Sequence, residues 1–269
     1  LEAWHVASTG VDLLLGAIAL GANQVAVLSA GSEAPEYSQS LRGQMALAQS
    51  ILAGLGYPGT HFALVETGDP AAAVAALEAL APAAVPESPA AFALSDDKRT
   101  AVEFAVEHLA RHAPAPVAEI VLAAGAPWGE VVVDKEKCTL CLSCAGACPE
   151  SALMDGGETP MLRFLERNCV QCGLCETTCP EQAISLVPRL LVTPAARQRV
   201  TLHEAEPFHC VRCGAPFGTR QMIDVMTGRL GAHPMFSGQA LRRIQMCADC
   251  RVIDMMQSHD EISIFEVKR

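Results

Sequence analysis

Apolar residues in the first 80 positions fall into two alternating kinds of run. Val11 to Leu20 is apolar over helical length and closes on the turn residues Gly21-Ala22-Asn23, whereas Val25-Ala26-Val27-Leu28 is short and β-branched, the pattern of a buried strand. After the loop Ser29 to Pro35, Leu41, Met45, Ala48 and Leu52 recur at helical spacing and predict a helix from Ser38 to about Ala53. Gly54, Gly56 and Pro58-Gly59 end it, and His61-Phe62-Ala63-Leu64-Val65 is the next strand. Asp69 is placed to cap a third helix, with Pro70 in its first turn, running to Leu80. Strands alternating with helices at this spacing imply a parallel sheet, so residues 1–82 read as a small α/β domain.

The pattern then changes. Residues 81–91 are rich in alanine and proline, the composition of a semi-rigid linker. Ser95 opens a helix with Asp96 and Asp97 in its first turn, and Val102, Ala105, Val106 and Leu109 form its apolar stripe before Pro114 and Pro116 stop it. Ile120-Val121-Leu122 and Gly129 to Asp134 are strand candidates, the second leading into Cys138; Ile184 to Pro188 is a third, and Glu261 to Val267 a weakly patterned fourth. The chain therefore reads as α+β and multidomain: a small α/β domain (1–82), a linker and helix (83–124), an eight-cysteine domain (125–190) and a four-cysteine knuckle domain (191–269).

Cysteine spacing carries the chemistry. Cys138-x2-Cys141-x2-Cys144-x3-Cys148-Pro149 repeats 31 residues later as Cys169-x2-Cys172-x2-Cys175-x3-Cys179-Pro180, and the copies stay in register to Leu153 and Ile184. Eight thiols so arranged call for two metal clusters. A cubane of iron and sulfide needs four thiolates at the corners of a tetrahedron; three thiols on one tight loop reach three corners, and the fourth comes from elsewhere. Zinc sites use pairs of ligands rather than two identical runs of four. The segment Val131 to Val187 resembles the bacterial two-cluster ferredoxins, with all eight ligand positions filled by cysteine. That resemblance implies two 4Fe-4S clusters with exchanged ligands, one on Cys138, Cys141, Cys144 and Cys179, the other on Cys169, Cys172, Cys175 and Cys148. It also implies a pseudo-twofold pair of hairpins and helices, and one-electron transfer at low potential. Leu142, Leu153, Ile184 and Leu186 are the aliphatic cover such clusters need.

Residues 1–82 are similar to the small domain in the delta subunit of methyl-viologen-reducing hydrogenase, on Gly16 to Ala22 leading into the strand at Val25, a loop and a long helix. In that family the loop carries cysteines for a two-iron cluster. Ser29 to Tyr37 has none, which implies a metal-free docking module. Ser29-Ala30-Gly31-Ser32 lacks a glycine fingerprint for phosphate and reads as a structural turn. His108 and His112, four apart on one helix, have no third ligand in the sequence and read as solvated surface.

A second metal signature closes the chain. Cys210-x2-Cys213-Gly214 and Cys247-x2-Cys250 form two knuckles suited to a tetrahedral four-thiolate site, in the manner of zinc ribbons or rubredoxin. Zinc is the default occupant, rubredoxin-type iron the alternative, and His203, His209 or His233 a candidate to replace a thiol. Arg212, Arg220, Arg242, Arg243 and Arg251 are expected to face an acidic partner or the acidic front of the chain.

Net charge is −11, against nucleic acid as a partner, and it is uneven: residues 191–269 hold ten Lys/Arg and eight Asp/Glu, leaving nine and twenty-two for residues 1–190. An electropositive redox partner, a redox protein or oxidoreductase subunit, suits that front. Twelve cysteines in metal spacings point to a reducing cytoplasm, and no run is long enough for a membrane span. A start at Leu1 suggests a piece of something longer. No nucleophile-base pair or dinucleotide fingerprint is present, so the expected role is electron transfer to or from a larger redox enzyme rather than catalysis by this chain. An assembly, maturation or redox-sensing factor for a metalloenzyme is the alternative.

Overall fold

The computed structural model describes residues 5–157 and 159–258. The chain forms two compact units, Leu1–Gly129 with Pro188–Ala196, and Glu130–Val187 with Arg197–Arg269.

In the first unit, α1 (Val11–Ala19) buries Leu14, Leu15 and Ile18 completely, and β1 (Val25–Ser29) follows the predicted turn. The next helix, α2 (Pro35–Gly54), begins three residues before the expected Ser38, because Pro35 sits in its first turn, where the missing amide costs nothing. Its buried face is Leu41, Met45, Ala48, Ile51 and Leu52. Strand β2 (Phe62–Glu66) pairs with β1 in parallel, from Val25 opposite Phe62 to Ser29 opposite Glu66. Asp69 caps α3 (Pro70–Glu78) by accepting from the Ala71 amide at 3.0 Å.

The alanine- and proline-rich stretch lies along this unit as a strap. Ala84 donates to the Pro58 carbonyl at 3.0 Å and Ala90 to the Ala19 carbonyl at 2.7 Å. Buried His61 donates from Nε2 to the Ala84 carbonyl at 2.7 Å, which leaves Nδ1 to accept from Gln49 at 3.3 Å. The strap passes so close that a Cβ on Gly59, at φ +104°, would meet Ala83 Cβ at 2.8 Å.

Helix α4 (Lys98–Arg111) corrects one expectation. Asp97, not Ser95, is its cap: the Asp97 carboxylate accepts from the Thr100 amide at 2.7 Å, while Ser95 Oγ accepts from Asp97 one turn earlier. A carboxylate at that position satisfies an orphan amide and favours the helix dipole, so it outcompetes the serine upstream. Tyr57 donates to the Leu109 carbonyl at 2.9 Å and ties the end of α2 to α4. Strand β3 (Glu119–Val121) runs antiparallel to residues 189–191.

The second unit begins at Glu130, inside β4 (Gly129–Val133), and continues to the short helix α5 (Ser143–Ala147). Strands β5 (Leu153–Asp155) and β6 (Met161–Leu165) form a hairpin that buries Leu162 and Phe164, an element the cysteine pattern did not announce. After α6 (Leu174–Thr178), β7 (Ile184–Leu191) continues past the predicted end at Pro188. Proline normally argues against a paired strand, but Pro188 lies beyond the last β3 pairing, Val121 with Arg189, so that ladder loses no amide. Strand β8 (Arg199–Glu204) adds to β6.

The C-terminal part comprises the hairpin β9 (Pro207–His209) and β10 (Pro216–Thr219), then α7 (Arg220–Leu230), α8 (Gln239–Arg243) and α9 (Ala248–Gln257). The strand candidate at 261–267 lies outside the described residues.

Candidate metal centres

The 31-residue repeat extends from sequence into backbone geometry. Leu140 and Gln171 have φ of 54° and 53°, Ser151 and Gln182 have 49° and 51°, and Leu142 at 60° corresponds to Gly173 at 79°. Left-handed backbone at non-glycine residues costs about 1–3 kcal/mol each and persists only where its surroundings enforce it. Among the described residues, all five such positions fall in these loops. Leu142 and Gly173 directly precede α5 and α6, which carry the buried third cysteine of each run, Cys144 and Cys175.

Two cavities result. Cys138, Cys141, Cys144 and Cys179 line the first, with Leu142, Leu162 and Ile184. Cys148, Cys169, Cys172 and Cys175 line the second, with Val131, Leu153 and Leu186. Each therefore brings together three thiols of one run and the pre-proline thiol of the other.

The sulfurs receive hydrogen bonds in matching positions: Ala152 donates to Cys148 Sγ and Ala183 to Cys179 Sγ, both at 3.3 Å. Gln171 adds a side-chain donor at 3.5 Å from Cys169 Sγ. Burial pushes the Cys144 thiol up to about 12 and Cys175 up to about 11, against the opposing amides of Ala145 and Glu176. Burial likewise raises Cys138. Near neutrality those thiols carry protons that a metal group must displace. Four soft thiols per cavity, aliphatic walls and amides aimed at sulfur are a donor set that fits a four-iron, four-sulfide cubane.

At the C-terminal knuckles, the sulfurs of Cys210, Cys213, Cys247 and Cys250 lie within 4.8 Å of one another. Gly214, at φ +76°, closes the first knuckle by donating to the Cys210 carbonyl at 2.9 Å. Cys247 precedes α9 and Cys250 lies in its first turn, while Val211 donates to the Gln245 carbonyl at 3.1 Å and ties the knuckles together. Tetrahedral coordination with metal–sulfur bonds of about 2.3 Å puts sulfurs about 3.8 Å apart. The Cys213 and Cys247 sulfurs are 3.7 Å apart.

Burial alone would raise Cys210, but the amides of Cys213, Cys247 and Arg212 bring it down to about 6; Cys250 is pushed up to about 12, first by its hydrogen bond with Cys213 and then by burial. Four sulfurs so placed could hold a metal ion.

Several other sequence expectations are placed differently. Among the described residues no histidine belongs to the four-thiol group: His209 is exposed on β9, His203 sits opposite Leu162 on β8, and His233 accepts from the Met235 amide. The arginines expected to face a partner are mostly engaged within this region. Arg243 is buried and paired with Asp254 at 2.7 Å, Arg212 donates to the Cys250 carbonyl and Gln257, and Arg251 donates to the carbonyls of Arg243 and Met246. Arg220 lies 5.5 Å over the Phe208 ring, and Arg242 is exposed. Helix C-termini and knuckle carbonyls need donors, and arginine reaches several at once. The His108 and His112 rings lie 4.6 Å apart, tilted by 40°, with His108 bonded to the Ser88 carbonyl. Ser29 Oγ accepts from the Gly31 amide, as a structural turn should.

Sequence reasoning missed what α7 does. Buried Thr219, its cap, donates to the buried Thr139 carbonyl at 2.9 Å, and Gln221 donates to the Glu136 carbonyl at 2.5 Å. Arg229 forks onto Glu181, which lines the first cavity. Contacts across 80 residues leave no periodic signal in a single sequence.

No helix among the described residues is long and apolar enough to cross a membrane. No curated protein matches the chain. Residues 137–184 match the family model of the 4Fe-4S dicluster domain, so the eight-cysteine segment is a ferredoxin-like 4Fe-4S domain.

Proposed function

We propose that this protein is an electron carrier or the electron-transfer subunit of a larger oxidoreductase, relaying single electrons through two 4Fe-4S clusters. Cys138, Cys141, Cys144 and Cys179 hold one cluster, and Cys169, Cys172, Cys175 and Cys148 the other. The observation that carries this reading is the pair of cavities, each lined by three thiols of one run and one of the other. A bound cubane supplies a one-electron couple; the chain's own residues hold it, keep water off with Leu142, Leu162, Ile184, Leu153 and Leu186, and aim amides at sulfur. Electron transfer needs proximity and matched potentials rather than an acid, base or nucleophile.

Cys210, Cys213, Cys247 and Cys250 hold one zinc ion in a closed structural site, which fixes β10 and α7 in place. The α/β domain serves as a docking module, and the acidic residues before position 190 meet an electropositive face on the redox partner. Metal and acid-labile sulfide analysis of anaerobically purified protein tests the assignment. About eight irons, about eight sulfides and about one zinc per chain are expected. Nine irons without zinc would make the knuckle site rubredoxin-like, and absence of labile sulfide would overturn the electron-carrier reading.

A further inference from the structure

The repeat places a glutamate at the same point of each cavity, Glu150 two residues after Cys148 and Glu181 two residues after Cys179. Their surroundings differ. Arg229 of α7 donates to Glu181 Oε1 at 3.1 Å and Oε2 at 2.5 Å. The Glu181 side chain is only 13% exposed in that fork. Glu150 is exposed, and among the described residues it forms no ion pair. Helix α7 is held over the first cavity's loop at two more points, Thr219 to Thr139 and Gln221 to Glu136. The fork is therefore anchored rather than a passing surface contact.

We propose that Arg229 and Glu181 make the site of Cys138, Cys141, Cys144 and Cys179 the more easily reduced of the two, which gives the relay a direction. The inference rests on both cavities holding clusters. Reduction adds negative charge to a site already ringed by thiolates, so a neighbouring carboxylate opposes it and a neighbouring cation favours it. At the second cavity no cation among the described residues pairs with Glu150. At the first, a bidentate guanidinium cancels the equivalent charge.

Two effects compete. Cover by α7 excludes water and disfavours added charge, which lowers the potential; neutralising the carboxylate raises it. Helix α7 meets the loop through hydroxyl, amide and guanidinium donors, so displaced water is replaced by fixed polar groups and the charge effect sets the sign.

An EPR-monitored anaerobic redox titration of the full chain, with dithionite and mediators, tests this on Arg229→Met and Glu181→Gln. Signals are assigned by their loss in Cys141→Ser and Cys172→Ser. Arg229→Met leaves Glu181 uncompensated and lowers the potential of the first site, whereas Glu181→Gln leaves Arg229 unmatched and raises it. Each shift should reach about tenfold in the one-electron equilibrium, about 59 mV. The second site's wave stays in place. Shifts in the same direction would mean that solvent access alone matters and would overturn the proposal, as would no shift, or movement of the signal that Cys172→Ser removes. If Arg229→Met does not hold its cluster, Glu181→Gln and Glu150→Gln decide: each must raise the potential of its own site alone. A protein with no reducible clusters would overturn the electron-carrier reading and this inference with it.

Discussion

Replacing Thr219 by valine should loosen the ferredoxin-like domain from a position 80 residues away in sequence. Thr219 Oγ1 donates to the Thr139 carbonyl at 2.9 Å and accepts from the Met222 amide at 3.1 Å, with Thr219 and Thr139 only 2% and 3% exposed. Valine keeps the shape and removes both bonds. A buried carbonyl left without a donor costs about 1–3 kcal/mol, and a lost helix cap about 1 kcal/mol. The total of about 2–4 kcal/mol is a large part of the ~5–15 kcal/mol that usually holds a domain together. Thr219→Ser retains both bonds and loses a methyl, about 1 kcal/mol. Anaerobic melting at one scan rate, followed by visible cluster absorbance and by circular dichroism, compares the two. At roughly 4 °C per kcal/mol for a unit of this size, valine should lower the transition by ~8–16 °C and serine by about 4 °C. Cluster absorbance should fall first, because Thr139 adjoins Cys138. Equal shifts for valine and serine would refute the reasoning.

Two further perturbations probe the separate units. Burial holds the Tyr57 phenol above its ordinary 10.0, so its contribution is full below pH 10 and is lost as pH rises through the raised native value. Urea midpoints across that window should fall in the wild type and stay flatter in Tyr57→Phe, which itself costs about 1–2 kcal/mol at neutral pH through the lost bond to Leu109. Cys250→Ser removes one of four thiolates and should lose the C-terminal metal in elemental analysis while keeping most of the iron; unchanged zinc would exclude Cys250 as a ligand.

The eight-cysteine motif was legible because ligand spacing is a local constraint, and the period of 31 residues survives in the dihedrals of paired positions such as Leu140 and Gln171. Those dihedrals were not legible, since neither leucine nor glutamine signals left-handed backbone. The parallel pairing of β1 and β2 followed from alternating runs, and Asp69 capped its helix as its position before Pro70 suggested. At α4, Ser95 stands two residues before Asp97, and only geometry selected Asp97 as the cap. Strand β7 was cut short because Pro188 argues for an end, and its harmlessness depends on where β3 stops. The clamp of α7 on Thr139 and Glu181 is a tertiary match of single donors to single acceptors, which no local pattern encodes.

Exchange of the pre-proline cysteines is the claim on which the relay depends, and the EPR spectrum of dithionite-reduced Cys179→Ser tests it most directly. The lost signal should be the one lost in Cys141→Ser, with the signal that depends on Cys172 intact. A Cys179→Ser spectrum matching Cys172→Ser instead would contradict the exchanged ligand sets.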